Sequence, residues 1–387
     1  MSWPFLQLKD ICEIFNGSTP SRRKDEYWGG NILWVTPTDL SKLDSKEIET
    51  TKESITQEGY SSCSTKILPV ESVLFTSRAS IGKIAITKNE MCTNQGFKSF
   101  VCGEKILPNF LYYCLRYYTP QLERLGSGST FKEISMTSIS KFKIPVPPLE
   151  AQKKIVSILE RADALRQKRK KANEDTKKLV QSIFFEMFGN PITNEKDYEI
   201  KNLSEISVKI TDGTHKTPLY VNRGVPFLRV TDLTKSNLSK KFITKEEHEL
   251  LIKRCKPEKN DILYTKNGTI GIAKVVDWDY EFSVFVSLCL IKPNLKIIRP
   301  IFLETFLNTP FALHQAKSNS KKGTITNLHL IDIRRMKIPL PSLSEQDFLI
   351  KRIMKIKFIE EKQLQSIKDM NKLFKALLQK AFTGELM

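Results

Sequence analysis

The chain has 387 residues, room for two or three domains at roughly 100–200 residues each. Hydrophobic residues make up 40% and mean hydropathy is −0.30, which excludes both a disordered chain and a membrane-embedded one. Lys and Arg number 62 against 43 Asp and Glu, a net charge of +19 that points to a polyanionic partner.

In chain order, the first 147 residues are rich in β-branched and aromatic residues broken by Gly, Pro, Asn and Ser. Ile32–Val35, Val73–Thr76, Ile81–Ile86 and Gly96–Val101 read as strands, and a short helix near 108–118 follows a proline placed where a helix can start. Residues 149–188 then run without Pro or Gly as one long helix, stopped by Phe188-Gly189-Asn190-Pro191. A second strand-rich stretch follows, with Phe227–Val230, Ile262–Thr265, Ile270–Val276 and Phe282–Ile291 as strands and a helix near 300–308. Residues 343–383 form a second long helix, opened by a capping box at Ser342 and Glu345. The segments are 1–147, 148–190, 191–341 and 342–387. The fold class expected is α+β, two mostly antiparallel β domains with short helices alternating with two long helices.

The two halves repeat each other. Ile144-Pro-Val-Pro-Pro-Leu-Glu-Ala-Gln152 recurs as Ile338-Pro-Leu-Pro-Ser-Leu-Ser-Glu-Gln346, and the same offset of 194 carries Thr130 onto Thr324 and Phe188 onto Phe382. With small drifts from loop lengths, Asp39-Leu40 falls on Asp232-Leu233, and Leu74–Gly82 falls on Leu263–Gly271. The chain is a tandem duplication of a domain–helix unit. Apolar residues at 3,4 spacing mark a seam on each helix: Ile158, Ala162, Leu165, Leu179 and Ile183 on the first; Ile356, Ile359, Met370, Leu373 and Leu377 on the second. Each helix would be roughly 60 Å long. The two stripes can satisfy each other as an antiparallel coiled coil with a pseudo-two-fold axis, a frame that matches duplex DNA with two half-sites.

Catalytic motifs are missing. His215, His248, His314 and His329 lie in one half only, without metal-ligand spacing. Gly82-Lys83 lacks the rest of a phosphate loop, and Gly126-Ser-Gly128 follows a helix rather than a strand. No catalytic residue and no metal site is expected. Cys12, Cys63, Cys92, Cys102, Cys114, Cys255 and Cys289 are scattered without a CxxC pair, as in reduced cytoplasmic proteins. No signal peptide and no run of 18 apolar residues is visible, so a soluble intracellular chain is expected.

What the copies share is polar and basic. Thr76, Ser77, Arg78 and Ser80 align with Thr265, Lys266, Asn267 and Thr269, each set at a turn before an Ile-Gly, and Lys83 follows the first of these. Ser127, Ser129, Thr130 and Lys132 align with Lys321, Lys322 and Thr324 in donor-rich loops, and Arg229 lies before the second Thr-Asp-Leu. Arg and Asn read guanine and adenine edges by paired hydrogen bonds, while Ser, Thr and Lys suit phosphates. All seventeen are candidate DNA contacts, with ordinary turn chemistry the alternative for the serines. Asp39 and Asp232 are read as capping residues of a local turn. The long helices carry ten and nine Lys/Arg against six Asp/Glu each, so most of the positive excess falls on the globular parts.

The duplicated Pro-x-Pro-x-Leu-x-x-Gln motif, the long helices behind it, the Thr-Asp-Leu pair and the Ile-Gly turns resemble the specificity (S, HsdS) subunits of type I restriction–modification systems. The resemblance covers essentially the whole chain and departs at Pro341-Ser342, where the first copy has Pro-Pro. It implies a non-catalytic subunit whose two target recognition domains each read one half of a split DNA site. It also implies a coiled coil that docks two modification (M) subunits, which bind AdoMet and methylate adenine, with restriction (R) subunits cleaving DNA at the expense of ATP and using Mg2+. No cofactor is expected on this chain itself. Alternatives are a system with a fused methyltransferase–nuclease partner, a stand-alone pseudo-dimeric repressor, and a self-sufficient nuclease.

Overall fold

Short strands bounded by Gly, Pro and Asn can bury their apolar sides only by pairing with strands far away in sequence. In the first half they build a five-stranded sheet in the order Cys12–Asn16, Phe97–Cys102, Val73–Thr76, Ile84–Thr87, Glu47–Ile48. The second half has its counterpart in the order Ser207–Asp212, Leu288–Pro293, Ile262–Thr265, Ala273–Val275. Registers match: Thr76 faces Phe97 as Thr265 faces Leu288, and Asn16 faces Lys98 as Asp212 faces Cys289. A three-stranded sheet accompanies each, around Trp28–Val35 and Val225–Leu228. Pairing is mostly antiparallel, with parallel exceptions such as Leu33–Met91 and Phe227–Ser283. The computed structural model describes residues 3–128, 132–234, 241–318 and 326–386.

A two-strand tie closes each half. Phe5–Gln7 pairs with Lys143–Pro145, and Glu199–Asn202 with Lys337–Leu340, so each half begins beside the strand that leads into its long helix. Helices Pro108–Arg124 and Pro300–Leu307 both start on proline, whose missing N–H costs nothing there.

The long helices span Leu149–Phe188 and Leu343–Thr383. The repeated glutamine at each start is a fully buried clamp. Gln152 accepts from Leu107 N at 2.9 Å and donates to the carbonyls of Lys105 and Pro147, both at 2.8 Å. Gln346 accepts from Arg299 N at 2.8 Å and donates to Ile297 and Pro341 at 3.2 and 2.9 Å. One side chain thus ties the start of each long helix to the segment before the preceding helix, and the prolines of the motif leave carbonyls free to be bound. The capping box at Ser342 and Glu345 forms, and Gly189 ends the first helix with φ +72°.

The chain forms two compact units, Met1–Lys170 with Gln365–Met387, and Lys171–Leu364. The division between them falls within each long helix, after Lys170 in the first and after Leu364 in the second. In the first unit Ile155, Val156 and Leu159 share a core with Phe374, Leu378, Ala381 and Phe382, and Phe110 meets Phe382 edge-on at 5.4 Å. The second unit repeats this with Ile183, Phe184, Phe188, Leu349, Ile353 and Ile356, Phe302 meeting Phe188 at 5.4 Å. Within it Thr176 contacts Gln363 and Glu186 contacts Arg352, so the helix segments run antiparallel.

The seam differs from the stripe expected. Ile183 and Ile356 are buried and Ala162, Met370 and Leu377 half-buried, but Ile158, Leu165, Leu179, Ile359 and Leu373 are exposed, Leu165 at 56% and Leu373 at 60%. The buried face carries Gln152, Ile155, Leu159 and Asp163, because it serves the globular core as well as the opposite helix. Asp163 is neutralised there by Arg116 at 3.1 Å and Arg166 at 2.5 Å, and Arg166 reaches Asn371 at 2.9 Å. Periodicity alone selects the apolar residues and misses this polar continuation.

Candidate nucleic-acid interface

Two loops that are remote in sequence meet in each unit. In the first, Ile134 N donates to Ser77 O at 2.9 Å and Ala79 N to Lys132 O at 3.2 Å, and Ser127 and Glu133 exchange backbone bonds at 3.1 and 2.9 Å. In the second, Leu328 N donates to Lys266 O and Gly268 N to Thr326 O, both at 2.9 Å. Arg78 therefore lies across from Glu133, and Asn267 across from Asn327. Each turn thus pairs with a remote segment, 132–134 in the first unit and 326–328 in the second, forming one small platform per unit.

The turns share a construction. Thr76 and Thr265 are fully buried. The Thr76 hydroxyl accepts from Lys83 N and the Thr265 hydroxyl from Ile272 N, both at 2.9 Å, and the two threonine carbonyls accept from Gly82 N and Gly271 N at 3.0 Å. Gly82 and Gly271 have φ of +95° and +89°, and a Cβ there would come within 2.3 Å of Thr119 and 2.5 Å of Leu313. The Ile-Gly that follows each candidate loop is thus a backbone requirement.

Several candidates are corrected by burial. Thr76 and Thr265 point inward and close the turn, because their hydroxyls accept from the backbone N–H groups of Lys83 and Ile272, and the buried Ser77 hydroxyl bonds the Gly96 carbonyl. Lys266 is 5% exposed, its amine 3.3 Å from Asp212. Arg78 is exposed and ion-paired to Glu133 at 3.7 Å. Ser80, Ser127, Lys132 and Thr269 are exposed, and Asn267 is half-buried. Lys83 is half-buried with its amine on the Ser41 hydroxyl. Arg229 lies 3.6 Å from Asp232, and its N–H is bound by that carboxylate at 2.8 Å. Asp39 does the same for Thr36 at 2.8 Å within a capping box, so both Thr-Asp-Leu elements are turn caps as read. Ser129, Thr130, Lys321, Lys322 and Thr324 lie outside the described residues.

The structure adds residues that sequence reasoning missed. Lys98 is buried with its amine 3.5 Å from Glu133; burial lowers its pKa, and that carboxylate opposes the shift. Glu133 therefore supports both Lys98 and Arg78. A basic loop abuts the platform, Thr19 bonding Gln95 while the neighbouring Gly96 carbonyl accepts from Ser77 N at 2.7 Å. On it Arg22 lies 3.7 Å over the Trp28 ring and clasps Glu53, which raises the Arg22 pKa. The run Arg22-Arg23-Lys24 carries the only hint of this in the sequence. Among the described residues no group of His, Cys, Asp and Glu could hold a metal ion, and no helix is long and apolar enough to cross a membrane.

Comparison with known proteins gives one answer. Residues 2–174 and 195–369 match the type I restriction modification DNA specificity domain. The chain is 31% identical to the type I restriction enzyme MjaIX specificity subunit of Methanocaldococcus jannaschii, covering 99% of this chain and 93% of that protein. It is 23% identical to the EcoKI specificity subunit of Escherichia coli K12 across 99% and 89%. A chain solved in a study of complex assembly and conformational transition of the type I R-M system superposes with a TM-score of 0.64 at 21% identity, covering 100% and 98%. The S subunit of M. genitalium superposes at 0.53 with 15% identity, covering 99% and 96%.

Proposed function

As a member of the type I restriction modification DNA specificity family, the chain is a non-catalytic DNA-recognition subunit acting in a complex with DNA and other subunits, and we propose that each unit reads one half of a bipartite duplex target through its paired-loop platform. One observation carries this reading above the others. The platforms share turn residues, buried Thr76 with Thr265 and Gly82 with Gly271, while the residues paired across them differ, exposed Arg78 and half-buried Glu133 against half-buried Asn267 and Asn327. A fork-shaped Arg suits guanine and an Asn amide suits adenine, so unlike faces select unlike half-sites.

The long helices, in this proposal, space the halves and dock two modification subunits that methylate adenine, with restriction subunits joining for cleavage. Leu165 and Leu179 recur as Ile359 and Leu373, exposed on both helices, which supports a repeated docking face rather than a seam. AdoMet is assigned to the modification subunits and ATP with Mg2+ to the restriction subunits, none of them to this chain, and the complex to the cytoplasm.

The test is a map of methylated adenines in cells with and without the gene. Loss of one split motif, methylated on both strands, is expected on deletion. Unchanged methylation, together with tight sequence-specific binding by the lone chain, would instead mark a repressor.

A further inference from the structure

At the edge of the second platform, Asp212 ends its strand almost fully buried, its side chain 3% exposed. Its Oδ1 accepts from Arg254 NH2 at 2.5 Å, while Oδ2 lies 3.3 Å from Lys266 Nζ and 3.2 Å from His215 Nε2. One carboxylate thus holds one buried amine and one exposed guanidinium, so basic groups outnumber acidic ones at this corner. Arg254 is 58% exposed at the side chain and His215 62%, and Asp212 is the one side chain that Arg254 hydrogen-bonds or ion-pairs among the described residues. Most of the five N–H donors of its guanidinium stay free while Nη2 is anchored on the carboxylate.

Among the described residues, the first unit has no carboxylate at that register position. Asn16 occupies the register position of Asp212, facing Lys98 as Asp212 faces Cys289. Its supported arginine is Arg78, held by Glu133 from the opposite loop. Arg78 and Arg254 are therefore both braced by a carboxylate, but from different elements and at different places.

We propose that Arg254 is a specificity-determining residue of the second recognition domain, reading a guanine edge, and that Asp212 is the positioning residue that aims it. A guanidinium already fixed by a buried acceptor loses less rotamer freedom on binding than a free one, which suits bidentate base reading more than phosphate contact. The inference rests on the reading of the unit as a DNA half-site reader. It adds a residue outside the paired loops, in the segment after helix Lys245–Ile252.

The experiment uses the full chain assembled with its modification subunits, selecting from a duplex library randomised in both half-sites. Arg254→Ala is expected to lower the preference at one base pair of the second half-site about tenfold or more, leaving the first half-site unchanged. Arg254→Lys does the same, because an ammonium has no fork. Asp212→Asn relaxes that same base pair. Even weakening across all duplexes with a flatter salt dependence would make Arg254 a phosphate contact and overturn the proposal, as would a split motif untouched by Arg254→Ala. A wild-type complex that selects no split motif overturns the half-site reading and this inference with it.

Discussion

The two platforms are the same device with different faces. Buried Thr76 and Thr265 close the same turn on the same backbone groups, and Gly82 and Gly271 permit it. Above that turn the charge arrangement diverges. The first unit has Arg78 and buried Lys98 converging on Glu133, whereas the second has Lys266, Arg254 and His215 converging on Asp212 with an asparagine pair above. Duplication thus preserved what holds the loops and released what they display. A residue that matches across the copies is evidence about the fold, and one that differs is evidence about the target.

The comparison breaks most visibly if the faces are not independent. Replacing residues 1–147 with another recognition domain is expected to change one whole half of the methylated motif, read by sequencing the modified genome. A change in both halves would show that the units do not read separately. The clamps come next. Gln152→Ala and Gln346→Ala each strand buried backbone groups, and each is expected to destabilise its unit by about 2–4 kcal/mol in chemical denaturation. Unequal losses would show that the matched hydrogen bonds are not matched in energy. Thr76→Val and Thr265→Val remove one hydroxyl at constant shape and should each cost about 1–2 kcal/mol while leaving base preference unchanged. A shift in preference would return these threonines to the DNA surface. The smallest effect on stability belongs to Leu165→Asp with Leu373→Asp, expected within about 0.5 kcal/mol because both side chains are exposed. The same pair should abolish co-purification with a modification subunit, and intact assembly would remove the docking face from these positions.

Much of this was legible in the sequence, and the omissions have physical causes. The 194-residue repeat, the long helices, their caps and the paired candidate loops follow from local pattern, which neighbouring residues set. Burial was harder. Thr76 and Thr265 look like DNA contacts because a turn threonine is usually exposed, yet both hydroxyls accept from backbone N–H groups, those of Lys83 and Ile272. Leu165 and Leu373 look like seam residues because spacing reports apolarity and not which side is covered. The Asp212 cluster was invisible: Asp212 ends one strand, Lys266 follows another and Arg254 follows a helix, and only the tertiary fold brings the three together. Gln152 and Gln346 were visible as a repeat, but their clamp depends on carbonyls more than forty positions away.

The most direct test sets Arg78→Ala and Asn267→Ala side by side, each in the assembled complex, with the methylated motif read at single-base resolution. Each unit reading through its own platform predicts that Arg78→Ala relaxes one base pair in one half of the motif and Asn267→Ala one base pair in the other. Relaxation of the same half by both variants, or of neither, would contradict the account.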